Sequence, residues 1–317
     1  MSSFHFHGIL LINKERECSS HDVVYEVRKI LKQKSIGHTG TLDPMARGLL
    51  VLLCGSATKL SSFFLNQNKR YLLSLKFGLE TNSFDLKGQI LKSEAVSLKK
   101  ETIISVITQE TKDLELPVPI FSAVKIKGRP LYKYALKKQT HLALPVKKMS
   151  FWNLDIHEVQ KDSVSLSVSC SKGSYIRSWV HHLGQKIQTG ACLTKLYRVR
   201  SGDFQLKNSI KLPDLKKTLS KNSPKNEQEL KQLLGNSFLF SHPALKQMPY
   251  IELTKKHLQL LKQGRLDSYL ITESQIHQIQ TNKKGQKQII KAVRDNRVFA
   301  LLELRPFKKI RILRNLY

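Results

Sequence analysis

The sequence is poor in acidic residues, in cysteine and in long apolar runs. Its 54 lysines and arginines outnumber its 24 aspartates and glutamates. The longest apolar runs, such as residues 49–54, are far shorter than the roughly 20 residues that a helix needs to cross a bilayer. The N-terminal segment does not combine a basic stretch with a signal-length apolar stretch. We therefore expect a cytoplasmic protein that does not enter a membrane.

The 4 cysteines are scattered and form no Cys-x-x-Cys pair, so their spacing argues against a zinc site. Three of them lie in apolar, strand-like segments, where a reduced, buried thiol is the usual state. The sequence also lacks a phosphate-binding glycine loop before a helix, a His-Glu-x-x-His pattern and a serine or cysteine nucleophile elbow. Nucleotide hydrolysis and metal catalysis are therefore unsupported, and we expect no metal and no cofactor.

The excess of positive charge is the first clue to a partner. A net charge of +30 on 317 residues gives the protein a field suited to a polyanion. Nucleic acid is the usual partner of such a protein, because contacts to phosphates release bound counterions. A basic composition that serves solubility alone stays open as the alternative. From residue 207 onward, 23 basic side chains face 8 acidic ones, so the C-terminal third is the denser anion-binding region.

Apolar periodicity predicts an α+β fold for about the first 205 residues. Ser19 and Asp22 form a capping-box pattern at the start of a helix predicted over 20–34. Alternating apolar residues predict strands over 71–77 and 164–170. Strands dominate this part of the chain, with helices between some of them.

The remaining chain divides into a connector and a small β-rich module. Residues 207–248 are rich in lysine, asparagine, serine and proline, which is typical of a connector. Beyond them the pattern predicts a module of about 70 residues. Its predicted elements are a helix over 254–262, strands over 289–294, 298–304 and 310–313, and a turn at 295–296.

The loop over residues 37–44 carries the most informative carboxylate, Asp43. Glycines permit a positive φ, and Pro44 biases Asp43 toward an extended backbone, so the side chain is presented from a rigid turn. A carboxylate held in this way suits a nucleophile or a general base. An ordinary Asp-Pro surface turn stays open as the alternative.

Residues 170–177 close a predicted strand and open a helix predicted over 175–187, which places Arg177 in the first helical turn. A buried arginine needs a carboxylate partner, and Asp43 is the obvious candidate. Such a pair would keep Asp43 ionised and oriented. A purely structural ion pair, or an arginine in solvent, is the alternative.

Three further features suit nucleic-acid binding. Tyr71, at the head of its strand, fits either a core position or stacking on a base. His38 fits either an ordinary turn residue or a side chain that inserts as a wedge into nucleic acid. Residues 121–135, which include Lys125, interleave cations with aromatic rings. That mixture suits phosphates and stacked bases, and equally a solvated basic hairpin.

These segments, in this order, resemble the TruB-type tRNA pseudouridine synthases over nearly the whole chain. The matching segments are 8–14 with Ser19 and Ser20, 37–48, 69–71 with Thr81, Asp85 and Gly88, 121–125, 170–177, and 196–198 with Ser201 and Gly202.

The resemblance implies a pseudouridine synthase core with a mixed, mostly antiparallel sheet flanked by helices. This core would span residues 1–206, with an RNA-binding insertion at about 115–145. A connector over 207–248 and a PUA-like RNA-binding domain over 249–317 would follow. The implied reaction converts the T-loop uridine of tRNA, position 55 in tRNA numbering, to pseudouridine without a cofactor.

The resemblance also implies roles for individual residues. Asp43 would act as the nucleophile or base that releases uracil from its ribose, and Arg177 would hold it. His38 would occupy the space vacated by the flipped nucleotide, Tyr71 would stack on the base, and the base pocket would be lined by Tyr175 and Leu196. RNA contacts are expected from Lys14, Lys69, Arg70 and Lys125.

The chain departs from the family pattern at three places, of which Ser174 in place of a threonine is mild and keeps the hydroxyl. The family's Lys-Pro-x-Gly continues here as Lys14 followed by Glu15, Arg16 and Glu17, and the arginine expected after Tyr-x-Tyr-Ala is Leu136. These departures leave an RNA-folding chaperone with weak or lost catalysis as an alternative function. Because no extra segment precedes the opening motif, we expect action without a guide RNA, and a monomer suffices.

Overall fold

The computed structural model describes residues 5–137, 143–266, 270, 272, 288–304 and 311–316. The described helices are α1 (Ser20–Ile30), α2 (Ser61–Leu65), α3 (Lys100–Gln109), α4 (Leu131–Leu136), α5 (Ile176–Ile187), α6 (Leu212–Lys221), α7 (Glu227–Leu234) and α8 (Lys255–Lys262). The described strands are β1 (Gly8–Lys14), β2 (Ile36–His38), β3 (Arg47–Cys54), β4 (Lys69–Phe77), β5 (Leu79–Thr81), β6 (Ile90–Ser93), β7 (Asp113–Pro117), β8 (Lys125–Ile126), β9 (Arg129–Pro130), β10 (Val146–Val159), β11 (Ser163–Cys170), β12 (Ala191–Ser201), β13 (Phe204–Gln205), β14 (Ile210–Lys211), β15 (Phe238–Leu239), β16 (Tyr250–Glu252), β17 (Gln288–Arg294), β18 (Arg297–Leu304) and β19 (Arg311–Asn315).

A mixed sheet in the order β14-β1-β3-β12-β4-β11-β10-β7 organises most of the chain. Two pairs in it, β1 with β14 and β3 with β12, are parallel, and the other neighbours on this path are antiparallel. The α+β prediction with a mostly antiparallel sheet is therefore confirmed. Within the described residues, no helix combines the length and the apolar composition that crossing a membrane requires.

The two strands β1 and β3 are covered on both faces, which explains why residues 49–54 are continuously apolar. On one face, Leu10 and Leu52 belong to a core cluster with side chains of α1, α6 and α7. On the other face, Ile9 and Val51 belong to a cluster with side chains of β17 and β18. Successive side chains of a strand point to opposite faces, so both sets must be apolar.

The C-terminal region forms a second sheet in the order β16-β17-β18-β19, with α8 following β16. Thr254 caps α8 at the predicted start, and the 295–296 turn has a positive φ at both residues. The predicted β-rich module is confirmed, although residue 310 of its last predicted strand lies outside the described residues. Val293 and Val298 connect this sheet to the core behind β1 and β3.

The segment predicted as a connector, residues 207–248, packs into the first region. It contributes β14 and β15, which pair with different stretches of the β1 edge that β3 leaves open. Leu215, Leu230 and Phe238 are fully buried in the cluster that contains Leu10. Its polar composition reflects the exposed faces of α6 and α7.

The first helix ends at Ile30, four residues before the predicted end. Its start is as predicted: the Ser19 hydroxyl accepts from the Asp22 backbone, and the Asp22 carboxylate accepts from the Ser19 backbone. Lys32 has a φ of 50°, which ends the helix. The Gln33 side chain then exchanges two hydrogen bonds with the backbone of Phe6, at 2.8 and 2.9 Å. This long-range contact outweighs the local helical pattern.

Candidate active site

Asp43 lies on the loop between β2 and β3, and that loop is tied to α1. The Ser20 hydroxyl accepts from the Leu42 backbone N–H at 2.8 Å and donates to the Leu42 carbonyl at 3.1 Å. The Ala46 backbone N–H donates to the Asp43 carbonyl at 3.0 Å and closes the turn. Because Leu42 is buried on one side, the loop presents the Asp43 carboxylate, which is 32% exposed, on the other.

Arg177 holds both oxygens of this carboxylate. Its Nε lies 2.9 Å from Asp43 Oδ2, and its Nη2 donates to Asp43 Oδ1 at 3.1 Å. The Arg177 side chain is 4% exposed, so this two-pronged pair is shielded on the arginine side. The predicted partnership of Asp43 and Arg177 is present in the structure. Arg177 also lies in the first turn of α5, as predicted.

The guanidinium is fixed by further acceptors from distant segments. It donates to the carbonyls of Ser83 at 3.1 Å and of Phe121 at 2.9 Å. Asp85, which is itself buried, places Oδ2 3.7 Å from Arg177 Nε and accepts from the Ser83 hydroxyl at 2.7 Å. In the sequence, Asp85 is recognisable only as part of the motif that contains Thr81 and Gly88, and the motif predicts no role for it. The sequence could not reveal the contact between Asp85 and Arg177, because the two residues are 92 positions apart in the chain.

Three residues predicted to contact the base share a core cluster with the loop that carries Asp43. Tyr71 and Leu196 are buried in the same core cluster as Leu42, and Tyr175 packs against that cluster. Tyr71 lies on β4 opposite Val168 of β11, and Tyr175 caps the N-terminus of α5 rather than belonging to it. All three side chains therefore lie in or against the core that also holds Leu42, the residue before Asp43.

Burial of the two phenols keeps both of them neutral. It raises the pKa of Tyr71 to about 12, and the negative charge of Asp43 adds to the effect. Burial likewise raises the pKa of Tyr175, and there the nearby Arg177 opposes the rise while Asp43 supports it. Since Asp43 acts on both phenols, all of these groups lie within electrostatic range of one another.

His38 ends β2, at the edge of the same loop. Its Nδ1 accepts from the Gly40 backbone N–H at 3.3 Å, and its ring packs edge-on against His21 with centroids 5.5 Å apart. Burial, with the charges of His21 and Arg198 assisting, lowers the pKa of His38 to about 4. The ring is therefore neutral at physiological pH and is half-buried beside the loop.

Lys14 does not lie on the surface where an RNA contact was expected. The residue is fully buried, and its Nζ donates to the carbonyls of Glu15 at 2.9 Å, Cys18 at 2.8 Å and Pro44 at 3.5 Å. Burial lowers the pKa of this ammonium. The physical reason for the correction is that these neutral acceptors compensate for the removal of the ammonium group from water.

The altered opening motif still supports the catalytic loop. The Glu17 backbone N–H donates to the carbonyl of Pro44 at 2.9 Å. Its carboxylate pairs with Lys87 at 2.6 Å, and Glu15 pairs with Lys211 at 3.4 Å. Glu17 has a φ of 63° at the position where the family pattern has glycine. A left-handed backbone is unfavourable for a residue that carries a Cβ, so Glu17 is strained at this position.

The other predicted RNA contacts differ in exposure. Lys69 is buried and donates to the carbonyls of Leu65 and Gln67, at 2.9 and 2.5 Å. Arg70 is half-buried on the opposite face of β4 from Tyr71, and Lys125 is exposed on β8. Leu136, the departure on α4, is 74% exposed. Residues 138–142 of the predicted insertion lie outside the described residues.

Arg198 is a positioning residue that the sequence reasoning missed. It is buried, and its guanidinium donates to the carbonyls of Leu49 at 2.8 Å, Gly40 at 3.0 Å and Thr41 at 3.4 Å. It therefore ties the loop to β12, as Ser20 ties it to α1. Gly48 permits this approach, since a Cβ there would lie 2.5 Å from the Arg198 carbonyl oxygen. Arg198 belongs to the motif at 196–198, but an arginine within a predicted strand does not indicate that its side chain is buried.

Solved structures share this fold. A chain in the crystal structure of a Cbf5–Nop10–Gar1 complex matches with a TM-score of 0.69 over 98% of this chain and 85% of that one, at 20% identity. The structure of an H/ACA RNP bound to a substrate RNA containing 2'-deoxyuridine matches with a TM-score of 0.68, at 17% identity. It covers 100% of this chain and 91% of that chain. At these identities the match shows the fold alone.

Sequence comparison identifies the family. The model for the N-terminal domain of TruB family pseudouridylate synthases matches residues 28–176, and that for the tRNA pseudouridylate synthase B C-terminal domain matches 177–236. The tRNA pseudouridine synthase B of Bdellovibrio bacteriovorus is 35% identical over 262 residues, 82% of each chain. That of Clostridium tetani is 34% identical, over 81% of this chain and 84% of its own. The chain belongs to the TruB family of pseudouridine synthases, so the resemblance found in the sequence is confirmed and the protein is an isomerase.

Proposed function

We propose that this tRNA pseudouridine synthase acts on the uridine at position 55 of the T-loop and that Asp43 is its essential carboxylate. The observation that carries the proposal is the two-pronged pair between Asp43 and the buried Arg177. Relatives that match most of this chain are named tRNA pseudouridine synthase B, which supports tRNA as the substrate.

The reaction sets the chemistry that this site must supply. Uridine becomes pseudouridine when the N-glycosidic bond breaks, the ring turns and the ribose is rejoined to carbon 5. The hydrogen on carbon 5 leaves as a proton, and nitrogen 1 gains one, so no electrons or groups come from a third molecule. An ionised carboxylate that acts as nucleophile or base is therefore sufficient, and the proposal includes no cofactor.

The target uridine must leave its stack before it can reach Asp43. Turning a nucleotide out of a folded loop costs roughly a few kcal/mol. In the proposal His38 fills the space that the nucleotide leaves, and Tyr71 stacks on the everted base. Tyr175 and Leu196 line the pocket. The burial of Tyr71 and Leu196 beside the loop supports this arrangement, because an apolar pocket excludes water around the reacting base.

We infer that the positive charge of the chain, +30 overall, binds the T-stem and loop through phosphate contacts. Lys125 and Arg70 are the accessible members of the predicted RNA-binding set, and Lys69 supports the strand next to them. The domain over 249–317 is proposed to be PUA-like and to add RNA contacts. The enzyme is proposed to act as a monomer on tRNA, without guide RNA.

Asp43→Asn tests the central claim. It keeps the shape of the side chain and removes the charge, so we expect the rate of pseudouridine formation on an unmodified tRNA transcript to fall by more than about 10⁴-fold. Asp162→Asn, at an exposed aspartate paired with Lys76, is the matched control and should retain the wild-type rate. Position 55 is read by sequencing the product for pseudouridine.

Three outcomes would contradict the proposal. Product formation by Asp43→Asn within tenfold of wild type would remove Asp43 from the chemistry. Modification of another uridine instead of position 55 would remove the T-loop assignment. Activity that appears only after a guide RNA or partner protein is added would refute independent action. The chaperone alternative predicts that Asp43→Asn rescues growth of a deletion strain as well as wild type does.

A further inference from the structure

A cavity lies on the face of the main sheet opposite Tyr71. Arg70 and Tyr71 are neighbours on β4, so their side chains point to opposite faces of the sheet. Tyr71 belongs to the core cluster beside Asp43, whereas the Arg70 guanidinium donates to the hydroxyls of Ser167 at 2.6 Å and Ser169 at 3.3 Å on β11. A cavity of about 410 Å³ opens on this rear face. Its volume lies within the range of roughly 300–1,000 Å³ that is typical of ligand sites.

The lining of this rear cavity carries a net positive charge. Lys69, Arg70 and Arg200 line it, together with one carboxylate, Asp203. Among the described residues, none of the three cations forms an ion pair with a carboxylate. Their hydrogen bonds go to neutral oxygens: Lys69 to two carbonyls, Arg70 to two hydroxyls and the Asn153 carbonyl, and Arg200 to the Gly202 carbonyl. Such a site attracts an anion, and Arg200 is exposed to receive it.

The neutral part of the lining favours a nucleotide over a bare phosphate. Five amide side chains line the cavity, and amides offer both donors and acceptors, as the edges of bases do. Trp152 contributes a half-buried indole, on which a base can stack. A break in the β10–β11 register after Trp152 places Asn153, with a φ of 51°, so that its carbonyl accepts from Arg70 at 2.8 Å.

We propose that this rear cavity binds one unpaired nucleotide of RNA, with its phosphate between Arg70 and Arg200 and its base on Trp152. The site is separate from the pocket at Asp43 because it opens on the other face of β4. RNA rather than an acidic protein is the proposed occupant, since cations, amides and an exposed ring face occur together here.

The test uses the full chain and hexaadenylate, an RNA that contains no uridine and therefore cannot be a substrate. The protein has 2 tryptophans, and Trp179 is fully buried. Quenching of tryptophan fluorescence by the RNA therefore reports on Trp152. We expect quenching in the wild-type protein and its loss in Trp152→Phe. Binding without quenching would overturn the proposal.

Affinities come from fluorescence anisotropy of labelled hexaadenylate. Arg200→Gln removes an exposed cation from the cavity and should weaken binding about fivefold to tenfold, which corresponds to the loss of one charge-assisted contact. Asn68→Asp adds a negative charge to the lining without a change of size and should weaken binding as well. Lys100→Gln, at an exposed lysine that opens α3, is the charge-matched control and should bind within twofold of wild type.

Two results would refute the site. Equal weakening in Arg200→Gln and Lys100→Gln would show general charge attraction. Displacement of the RNA by inorganic phosphate as effectively as by adenosine monophosphate would show that the base is not recognised. Because no pseudouridine is formed in these assays, their failure would leave the proposed role of Asp43 untouched, and failure of the Asp43→Asn test would leave this cavity untouched.

Discussion

Replacing Arg177 with lysine keeps a positive charge beside Asp43 but removes the planar fork. In the wild-type protein Nε and Nη2 each reach one carboxylate oxygen, while Nη1 and Nη2 also donate to the carbonyls of Ser83 and Phe121. A lysine ammonium cannot span these acceptors, so both buried carbonyls lose their donor. Each unsatisfied group costs about 1–3 kcal/mol, so the loss of both donors should lower the free energy of unfolding by about 2–6 kcal/mol.

The effect of Arg177→Lys on catalysis should be larger than its effect on binding. Freed from the fork, the Asp43 carboxylate can turn away from the reacting base, and a misplacement of about 1 Å can cost about 10²-fold in rate. We therefore expect the single-turnover rate to fall by about 10²-fold while the Kd for tRNA changes by less than about threefold. Release of tritium from uridine labelled at carbon 5 measures the rate, and urea unfolding measures the stability.

Arg28→Lys is the matched control for this prediction. Arg28 also donates to a backbone carbonyl, that of Ile36 at 2.6 Å, but lies on α1. It should lose some stability and keep the wild-type rate. A folded Arg177→Lys protein with a rate within threefold of wild type would refute the view that the fork orients Asp43.

Three other perturbations follow from the structure. Glu17→Gly should exceed Glu17→Ala in free energy of unfolding by about 1 kcal/mol, because both lose the surface ion pair and only alanine keeps the left-handed strain. Gly48→Ala should lower the free energy of unfolding by about 3 kcal/mol, because its Cβ would overlap the backbone of Arg198. Stability should fall from pH 6.5 towards pH 4, because His7 and His38, each with a pKa lowered to about 4, take up protons in the unfolded chain before the folded one. Urea unfolding at several pH values checks this, and His38→Gln should flatten the dependence.

Each of these has a contradicting result. Equal stabilities of the two Glu17 variants would show that the backbone there carries no strain. A wild-type stability of Gly48→Ala would show that β3 and β12 can separate without cost. A stability that rises as the pH falls below 6.5, or an unchanged slope in His38→Gln, would contradict the low pKa assigned to that ring.

The sequence contained enough to predict the pair at the centre of the site. A carboxylate on a Gly–Pro loop and an arginine in the first turn after a strand are each recognisable locally, so Asp43 and Arg177 could be matched by charge. Asp85 and Arg198 could not be placed in this way. Their partners are a buried guanidinium and three backbone carbonyls from distant segments, and no local pattern records such contacts. Lys14 was misplaced for the same reason, since a lysine in sequence does not reveal that carbonyls surround it.

Element types were predictable and their ends were not. The capping box fixed the start of α1, whereas its end depends on the bond between Gln33 and Phe6, which only the folded chain makes. Composition also misled for residues 207–248. Lysine and other polar residues on the outer faces of α6 and α7 concealed the leucines that anchor them, because average composition does not distinguish the two sides of a helix.

The apolar cluster behind β1 and β3 has a mechanical consequence. It unites Ile9 and Val51 of the catalytic sheet with Val293 and Val298 of the C-terminal sheet, so side-chain packing rather than a tether sets the spacing between Asp43 and the last strands. An RNA that contacts both regions must therefore have contact points separated by this same distance. The packing of the two sheets would then select RNA substrates by the length of their stem, independent of base sequence.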